Sequence, residues 1–354
     1  MPAVSDAIWG EQGTTPDKIE QALRTLLKQR HAENGGYAPA RVLNMITFVD
    51  SRYSGEIANR LRGVGRYHAS RLIVLAYERS RRRLDARVSI ASDGEPGPGQ
   101  LALLRETVIV EIGACHFDDL LTIVDPLVVT DLPTLLWSPH GHPGALDTLL
   151  ALAQSVLIDS IDEPICREAV QRAQELAQRA YVVDLAWLRS TPWRERIAAA
   201  FDPLALRGEL RHIASLSLRH HPDSTIAAIL VIGWLASRLG WETNPLLQRG
   251  QELVGSAHAH RQDVALRVQS TPELQVRGLA GLTLQTASGI ELSLDRAPGG
   301  LRAHQRSKRG GEREWSMLGA SRGEAGVLGE GIRQALLRDP TYVPALAAAQ
   351  SLVP

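Results

Sequence analysis

The chain has 354 residues, 44% of them hydrophobic and 22% charged, and its 39 basic and 39 acidic residues give a formal net charge of zero. This is the composition of an ordinary globular protein, long enough for two domains on a prior of roughly 100–200 residues each. The balanced charge argues against a dedicated nucleic-acid binder, which usually carries a basic excess.

Targeting signals do not stand out in the sequence. Met1–Thr15 lacks the basic start and apolar core of a signal peptide. The longest apolar run, Ile226–Ala236, is well short of the roughly 20 residues that span a bilayer. Two cysteines, Cys115 and Cys166, do not make the framework of a secreted disulfide-rich protein. We therefore expect a cytoplasmic protein with no membrane partner.

The amino-terminal part predicts a mixed α/β sandwich. Residues 1–15 lack periodicity and are expected to form a loose arm, followed by an amphipathic helix over Pro16–Arg30 and a turn at 33–36. Arg71–Tyr77 is a nearly continuous apolar run, typical of a strand covered on both faces. A helix over Ser54–Gly63, a Gly- and Pro-rich loop over Ser92–Gln100, and further strands complete the pattern; the strands are Arg41–Val49, Ala86–Ala91 and Glu106–Ile112.

The centre of the chain predicts a strand–helix–strand unit. Leu132–Trp137 is a short apolar run that ends at Ser138-Pro139, and Leu146, Leu149, Leu150 and Ala153 then fall on one helix face. Val156–Ile158 reads as a second buried strand, which Asp159-Ser160 closes with residues common at helix N-termini. Open α/β sheets bind ligands at the carboxyl ends of their strands, which makes these polar residues candidates for binding.

The remaining chain predicts a helical region followed by a small antiparallel meander. We expect long helices over Glu163–Leu188 and Pro192–Phe201, with Thr191 as N-cap and Pro192 at the first helical position. A third helix runs from about Ser224 to Arg238, with Gly240 after its end. Four meander strands and two closing helices follow, at Ala265–Val268, Leu282–Gln285, Ile290–Leu294, Trp315–Leu318, Glu324–Leu337 and Val343–Leu352. The expected domains are an arm and helix over 1–36, an α/β domain over 37–162, and a helical plus β-meander domain over 163–354.

The candidate motifs for catalysis or metal binding lack further residues that the chemistry requires. Gly319–Gly323 matches the nucleophile-elbow pattern, but no histidine follows His304 to complete the triad in the required order. His140-Gly141-His142 and His258-Ala259-His260 each lack a third or fourth ligand, so surface histidines are expected and no metal site. A Walker-type phosphate loop is absent from the sequence. A basic run over Arg302–Arg313 predicts a solvated hairpin loop, or a contact with an acidic partner.

Four blocks of sequence resemble one known family. They are the Leu-Pro-x-x-x-Trp strand at 132–137, the Ile-Asp-Ser strand end at 158–160, the Asp-Leu-x-Trp-x-x-x-Thr-Pro-Trp-Arg run at 184–194 and the segment Gly233–Trp241. Together they resemble OpcA, the glucose-6-phosphate dehydrogenase assembly protein. The resemblance implies a non-catalytic factor that binds glucose-6-phosphate dehydrogenase and activates it allosterically, without a cofactor of its own.

The residues of these blocks are the candidates for binding a partner or a ligand. Tryptophan anchors many interfaces, although core packing is its default role. The candidates are Trp137, Asp159, Ser160, Trp187, Thr191, Trp193 and Arg194. A rival hypothesis from another class remains, namely an α/β module that binds a sugar phosphate or a nucleotide at its strand ends, where helix N-termini offer donors for phosphate.

Overall fold

The structure is a computed structural model that describes residues 7–33, 37–39, 41–64, 70–92, 102–260, 262–318 and 323–354. Several segments interpreted above lie outside these ranges, namely residues 1–6 of the arm, the turn at 34–36, the loop residues 93–100, and residues 319–322 of the elbow-like motif. The chain divides into two compact units, each with its own sheet. Unit 1 comprises Met1–Ile158, Arg179–Val183 and Leu328–Leu337, and unit 2 comprises Asp159–Gln178, Asp184–Val327 and Arg338–Pro354.

Unit 1 is built on a mixed sheet of nine strands. The strands are β1 Ala7–Glu11, β2 Tyr37–Pro39, β3 Leu43–Asp50, β4 Ser70–Tyr77, β5 Asp85–Ser92, β6 Ala102–Ile112, β7 Thr134–Trp137, β8 Ser155–Ile158 and β9 Tyr181–Asp184. The helices that precede β9 are α1 Pro16–Glu33, α2 Ser54–Val64, α3 Leu120–Val124 and α4 Pro143–Leu149, followed by α5 Cys166–Ala177, which belongs to unit 2. The sheet order is β1-β5-β6-β4-β3-β7-β8-β9, with β2 beside β6.

The core of this sheet is parallel. β3 pairs in parallel with β4 on one side and β7 on the other, while β4 pairs with β6 and β7 with β8 in the same sense. β3 and β4 are buried along almost their whole length, as expected for strands covered on both faces. The chain builds outward from β3 through β4 to β6, then returns to place β7 on the other side. The strand order therefore reverses between β3 and β7, which is a topological switch point.

Unit 2 is built on a second sheet of nine strands. These are β10 Ile213–His220, β11 Glu242–Thr243, β12 Leu247–Arg249, β13 Glu252–Ala259, β14 Gln262–Ser270, β15 Leu279–Thr286, β16 Glu291–Ala297, β17 Gly300–Arg306 and β18 Glu312–Leu318. The later helices are α6 Leu185–Arg189, α7 Thr191–Phe201, α8 Leu204–Arg207, α9 Thr225–Leu239, α10 Gly323–Leu337 and α11 Tyr342–Gln350. All of them belong to unit 2 except the Leu328–Leu337 part of α10, which belongs to unit 1. The order is β11-β13-β14-β10-β15-β16-β17-β18, with β12 beside β13. Among the described strands of this second sheet, only β10 and β14 pair in parallel.

The core of unit 2 centres on α9, which is apolar nearly all round. Ten of its residues are buried, as expected for a helix surrounded by other elements. Gly233 lets α11 approach closely, because a Cβ at this position would lie 2.3 Å from the carbonyl oxygen of Ala345. The helix ends at Gly240, whose φ of 67° is the left-handed C-cap conformation that glycine adopts without strain.

The predicted fold class is confirmed, but several predicted elements are wrong. The arm is not wholly loose, because residues 7–11 form β1, which pairs antiparallel with β5. The long helix predicted over Glu163–Leu188 is interrupted, since Tyr181–Asp184 is the strand β9. Tyr181, Val182 and Val183 have a high strand propensity. These residues form the last strand of the sheet in unit 1, and this pairing overrides the helical periodicity of the sequence.

Two further corrections concern unit 2. Thr191 is not the N-cap of α7, because it is already helical and Ser190 occupies the N-cap position without a capping hydrogen bond. The meander is larger than predicted, since the sequence analysis missed β10, β13 and β17. The hairpin predicted around the basic run is confirmed, with Ser307–Gly311 as the turn between β17 and β18.

Candidate functional site

A network of ion pairs forms where the chain leaves β8. The side chain of Asp159 accepts from the amide of Ile161, which caps the short 3₁₀ turn Ser160–Asp162. Its two oxygens also accept from both terminal nitrogens of Arg189, at 2.8 and 2.7 Å. Arg189 lies at the end of α6 and binds the carboxylate of Glu324 as well, at 3.1 and 2.7 Å. Burial alone would lower the pKa of Arg189, but these hydrogen bonds raise it above its usual value.

Arg277 joins the rim of the same network. It donates to Asp162 at 2.7 Å and lies 4.0 Å from Asp159. Burial raises the pKa of Asp162, and the nearby charge of Asp159 adds to this effect. The side chains of Asp159 and Arg189 are 8% and 5% exposed, so their bidentate pair is buried and its attraction is only weakly screened.

Asp184 forms a second, fully buried cluster. One oxygen accepts from the backbone amides of Ser160 and Ala186, at 3.1 and 2.9 Å, so Asp184 caps α6. The other oxygen accepts from the hydroxyls of Ser160 and Tyr342, at 2.6 and 3.0 Å. Burial raises the pKa of Asp184 to about 6, and the hydrogen bonds from Ser160 offset only part of this effect.

Trp187 and Arg194 form a third group beside the second. The indole nitrogen of Trp187 donates to Asp339 at 2.8 Å, and its ring packs against Tyr342 with centroids 5.6 Å apart. The guanidinium of Arg194 stacks 3.4 Å from the centroid of the Trp187 ring and donates to Ser190 and Thr191. Burial lowers the pKa of Arg194 to about 10, although Asp339 partly opposes this effect.

The structure brings six of the seven candidate residues into unit 2. Asp159, Ser160, Trp187, Thr191 and Arg194 belong to the groups just described, and Trp193 lies on the buried face of α7. Trp137 ends β7 in unit 1 and is also buried, with the guanidinium of Arg60 5.9 Å from its ring centroid. All three candidate tryptophans are at most 3% exposed. In this conformation their rings contact the interior of the protein.

Sequence reasoning missed most of the partners of these residues. Arg189 could have been found, because it lies within the same run of sequence as Trp187. Glu324, Asp339 and Tyr342 carry no local signal, since they are separated from their partners by 135 to 158 positions. Only the fold brings them together.

The histidine segments do not form metal sites in the part of the chain that the structure describes. A search of these residues finds no group of three or more His, Cys, Asp or Glu side chains that could hold a metal ion. His142 pairs with Asp50 at 2.9 Å, and His258 with Asp263 at 3.0 Å. Among the described residues, no helix is long and apolar enough to cross a membrane.

The polar side chains around Asp159, Asp184 and Trp187 form hydrogen bonds and ion pairs mainly with one another. The carboxylates, guanidiniums and hydroxyls described above all engage one another or backbone groups. Such an arrangement fixes the relative positions of the turn after β8, α6 and α11. The one hydroxyl and carboxylate that it pairs closely within the Asp184 group, Ser160 and Asp184 at 2.6 Å, are both buried. The chain is thus a mixed α/β protein of two units, and in unit 2 buried ion pairs and hydrogen bonds join neighbouring elements.

Comparison with known families identifies the chain further. Two family models match it, and both are described as parts of a "Glucose-6-phosphate dehydrogenase subunit". The model of the N-terminal domain matches residues 62–177, and the model of the C-terminal domain matches residues 180–346. The chain belongs to the OpcA family, as its sequence blocks indicated.

Curated relatives match over a shorter segment. A protein named "Putative OxPP cycle protein OpcA" from Synechocystis sp. is 32% identical over 124 residues, and its namesake from Nostoc punctiforme is 31% identical over 124 residues. These matches cover 34% of this chain and only 26% and 27% of the relatives. The aligned segment therefore spans about a quarter of the length of these relatives.

Solved structures show only a distant likeness. A putative oxidoreductase, YvaA from Bacillus subtilis, has a TM-score of 0.47 at 12% identity, covering 88% of this chain and 95% of the other. The WlbA dehydrogenase from Thermus thermophilus has a TM-score of 0.43 at 12% identity, covering 87% and 94%. Similarity at this level carries no argument about function.

Proposed function

We propose that the chain is a non-catalytic partner of glucose-6-phosphate dehydrogenase, which it binds and activates allosterically. The observation that carries the proposal is the pair of family models, both described as domains of a glucose-6-phosphate dehydrogenase subunit, which together extend from residue 62 to residue 346. They include the sheet strands from β4 to β18 and therefore most of both units.

The geometry of the polar cluster supports a non-catalytic role. A general base or nucleophile needs a free group within reach of substrate. Asp159 is instead held by Arg189, and Asp184 is surrounded by four donors inside the core. In our proposal these residues and the buried tryptophans fix the scaffold that presents a binding surface, while the dehydrogenase performs all of the hydride transfer.

Activation requires that the chain bind the active form of the dehydrogenase more tightly than the inactive form. A coupling free energy of about 1–3 kcal/mol corresponds to roughly a 5- to 150-fold change in affinity. The dehydrogenase and this chain should co-elute in size-exclusion chromatography, and the chain should raise the initial rate of glucose 6-phosphate oxidation. The chain alone should produce no NADPH. Separate elution together with an unchanged rate would refute the proposal.

A further inference from the structure

We infer that the turn between β4 and β5 is the surface by which unit 1 docks on an acidic patch of its protein partner, the dehydrogenase. Arginine occupies positions 79, 81, 82 and 83 of this turn, and we call residues 79–83 the arginine turn. The identity of the partner rests on the proposed function, whereas the surface itself follows from the charges and contacts of unit 1.

One arginine of the turn is engaged within the protein and holds the turn in place. Arg81 donates to Asp85 at 2.6 Å and to Glu78 at 3.1 Å, and it lies 2.6 Å from Glu111. The backbone is held as well, because the amide of Glu78 donates to the carbonyl of Ile112 at 2.9 Å and the amide of Arg81 to that of Glu78 at 3.0 Å. The turn is therefore ordered before a partner binds, which lowers the entropy cost of binding.

The other three arginines of the turn are exposed and unpaired. Among the described residues, no ion pair or hydrogen bond engages the side chains of Arg79, Arg82 and Arg83, and the same holds for the exposed Arg87 on β5. Like charges so close in the chain repel one another, and water and salt only screen this repulsion. Carboxylates of a partner would offset it, because guanidinium groups form bidentate hydrogen bonds with them.

The basic run over Arg302–Arg313, which the sequence suggested for such a contact, is largely neutralised within unit 2. Three of its cations pair with carboxylates of the same unit, namely Arg302 with Glu314, Arg306 with Glu291 and Lys308 with Glu209. The arginine turn therefore leaves more positive charge available to a partner than this run does.

An exposed apolar side chain lies on the same face of the sheet as Arg87. Ile8 on β1 is 60% exposed and lies opposite Ser89 of β5. Because Ser89 and Arg87 are two residues apart in one strand, their side chains and that of Ile8 share a face. Protein interfaces combine apolar contacts with arginine, which is enriched there.

A protein fits this surface better than a nucleic acid or an anionic membrane does. The side chains of Glu78 and Glu111 lie beside Arg81 and are 49% and 40% exposed. These charges would repel a phosphate backbone or a lipid headgroup, whereas a protein can present charges of both signs. The balanced net charge of the whole chain favours the same choice.

The test is the affinity of the full chain for purified glucose-6-phosphate dehydrogenase, measured by biolayer interferometry at about 50 and about 300 mM NaCl. The test variant combines Arg79→Gln, Arg82→Gln and Arg83→Gln. The matched control combines Arg302→Gln, Arg306→Gln and Lys308→Gln, so that both variants lose the same charge. At low salt we expect the test variant to bind about tenfold more weakly than the wild type, and the control to bind as the wild type does. The difference between the test variant and the wild type should shrink at high salt.

Ile8→Ser examines the apolar part of the surface. It should weaken binding about threefold at both salt concentrations, because salt does not screen an apolar contact. Thermal unfolding shows whether each variant is folded. Since the three replaced arginines are exposed and unpaired, the midpoint of the test variant should match that of the wild type.

The outcomes separate this inference from the proposed function. If the wild type binds the dehydrogenase and the test variant binds equally tightly, the inference is overturned and the proposed function stands. Equal losses in the test and control variants would also overturn it, because net charge alone would then set the affinity. Failure of the wild type to bind would refute the proposed function, and the inference with it. Tighter binding to duplex RNA or to phosphatidylserine vesicles than to the dehydrogenase, abolished in the test variant, would overturn the assignment to a protein.

Discussion

Asp184 shows how one buried residue can hold a turn and two helices together. Its carboxylate receives two backbone amides on one oxygen and two hydroxyls on the other, which ties the turn after β8 to α6 and α11. Burial removes the carboxylate from water and so disfavours its charged form, which raises the pKa of Asp184 from 3.8 to about 6. A carboxyl group with a raised native pKa contributes stability that is fully present below the unfolded value and is lost as the pH rises through the native value.

We predict that Asp184→Asn alters the pH dependence of stability. Between about pH 6 and 3.8 the native state keeps a proton that the unfolded chain has lost. The contribution to stability is absent at pH 7.5, grows as the pH falls through this range, and reaches its full size of roughly 3 kcal/mol only below pH 3.8. Asparagine is neutral, its oxygen can accept from the two amides, and the hydroxyls can rotate to accept from its amide group. In urea unfolding, the wild type should therefore gain stability relative to Asp184→Asn as the pH falls from 7.5 to 4.5.

The control for this experiment is Asp202→Asn, which changes an exposed carboxylate paired with Arg207. Its difference from the wild type should hardly depend on pH. A pH-independent difference for Asp184→Asn would show that this carboxyl titrates normally in the native state, and that hydrogen bonding outweighs desolvation.

Trp187 is the second residue whose surroundings allow a quantitative prediction. Trp187→Ala should lower the free energy of unfolding by about 3–5 kcal/mol, because the ring is 2% exposed and supports both Tyr342 and Arg194. Trp187→Phe keeps a ring but loses the hydrogen bond to Asp339, and it should cost about 1–3 kcal/mol. Chemical denaturation measures both changes.

Trp315→Ala is the matched control. Because the Trp315 ring is partly exposed on β18, its removal should lower the free energy of unfolding by less. Unchanged stability of Trp187→Ala together with a loss of dehydrogenase activation would instead place the Trp187 ring at a partner interface. This outcome would restore the role that the sequence first suggested for this residue.

At the scale of elements, the contact between α9 and α11 depends on a missing side chain. Gly233→Ala would place a Cβ 2.3 Å from the carbonyl oxygen of Ala345 and 3.0 Å from the amide of Ala349. The helices would have to separate, and overpacking of this kind costs about 1–3 kcal/mol. Thermal unfolding should show a lower midpoint for this variant.

Gly55→Ala provides the opposite expectation within a helix. Outside the helix backbone and the chain neighbours of Gly55, no atom of the described residues lies within 4 Å of a Cβ at this position in α2. Alanine should therefore stabilise the protein by about 0.5–1 kcal/mol through its better helix propensity. If Gly233→Ala were also neutral or stabilising, α9 and α11 would not pack as closely as the structure shows.

The elements predicted best are those whose own composition decides their structure. β4 is a nearly continuous apolar run, and α9 combines an apolar sequence with a glycine C-cap, so both were predicted nearly to the residue. β9 was missed because its apolar residues also fit the helical phase of the preceding segment. β17 was missed because its sequence, Gly-Leu-Arg-Ala-His-Gln-Arg, has few apolar residues and depends on its neighbours β16 and β18.

The candidate site shows the same division between local and distant information. Asp159 and Ser160 were found because polar residues follow a buried strand, and this pattern is local. The bond from Arg189 to Glu324 could not be predicted, because it joins α6 to α10 across 135 positions. The start of α7 was predicted one position too late, with Thr191 as N-cap although it is the first helical residue, since Pro192 is tolerated at the first or the second helical position.

At the scale of the whole molecule, each unit has a sheet with a different character. Unit 1 has buried parallel strands whose carboxyl ends gather polar groups around Asp50 and His142. Unit 2 has a largely antiparallel sheet in which buried and more exposed residues alternate, as along β14. The two units thus cover their sheets differently, with the central strands of unit 1 buried on both faces and the strands of unit 2 more exposed on one face.

The last prediction concerns the response of the whole protein to oxidation. Both cysteines are free, with Cys115 in unit 1 and Cys166 in unit 2. Burial raises the pKa of Cys166 to about 11, so its thiol stays protonated near neutral pH and reacts slowly. Activation of the dehydrogenase should therefore be the same with and without a thiol reductant. A marked difference between oxidised and reduced protein, abolished by Cys115→Ser or Cys166→Ser while the other variant retains it, would show that the remaining thiol does not act and that the replaced one is a redox sensor.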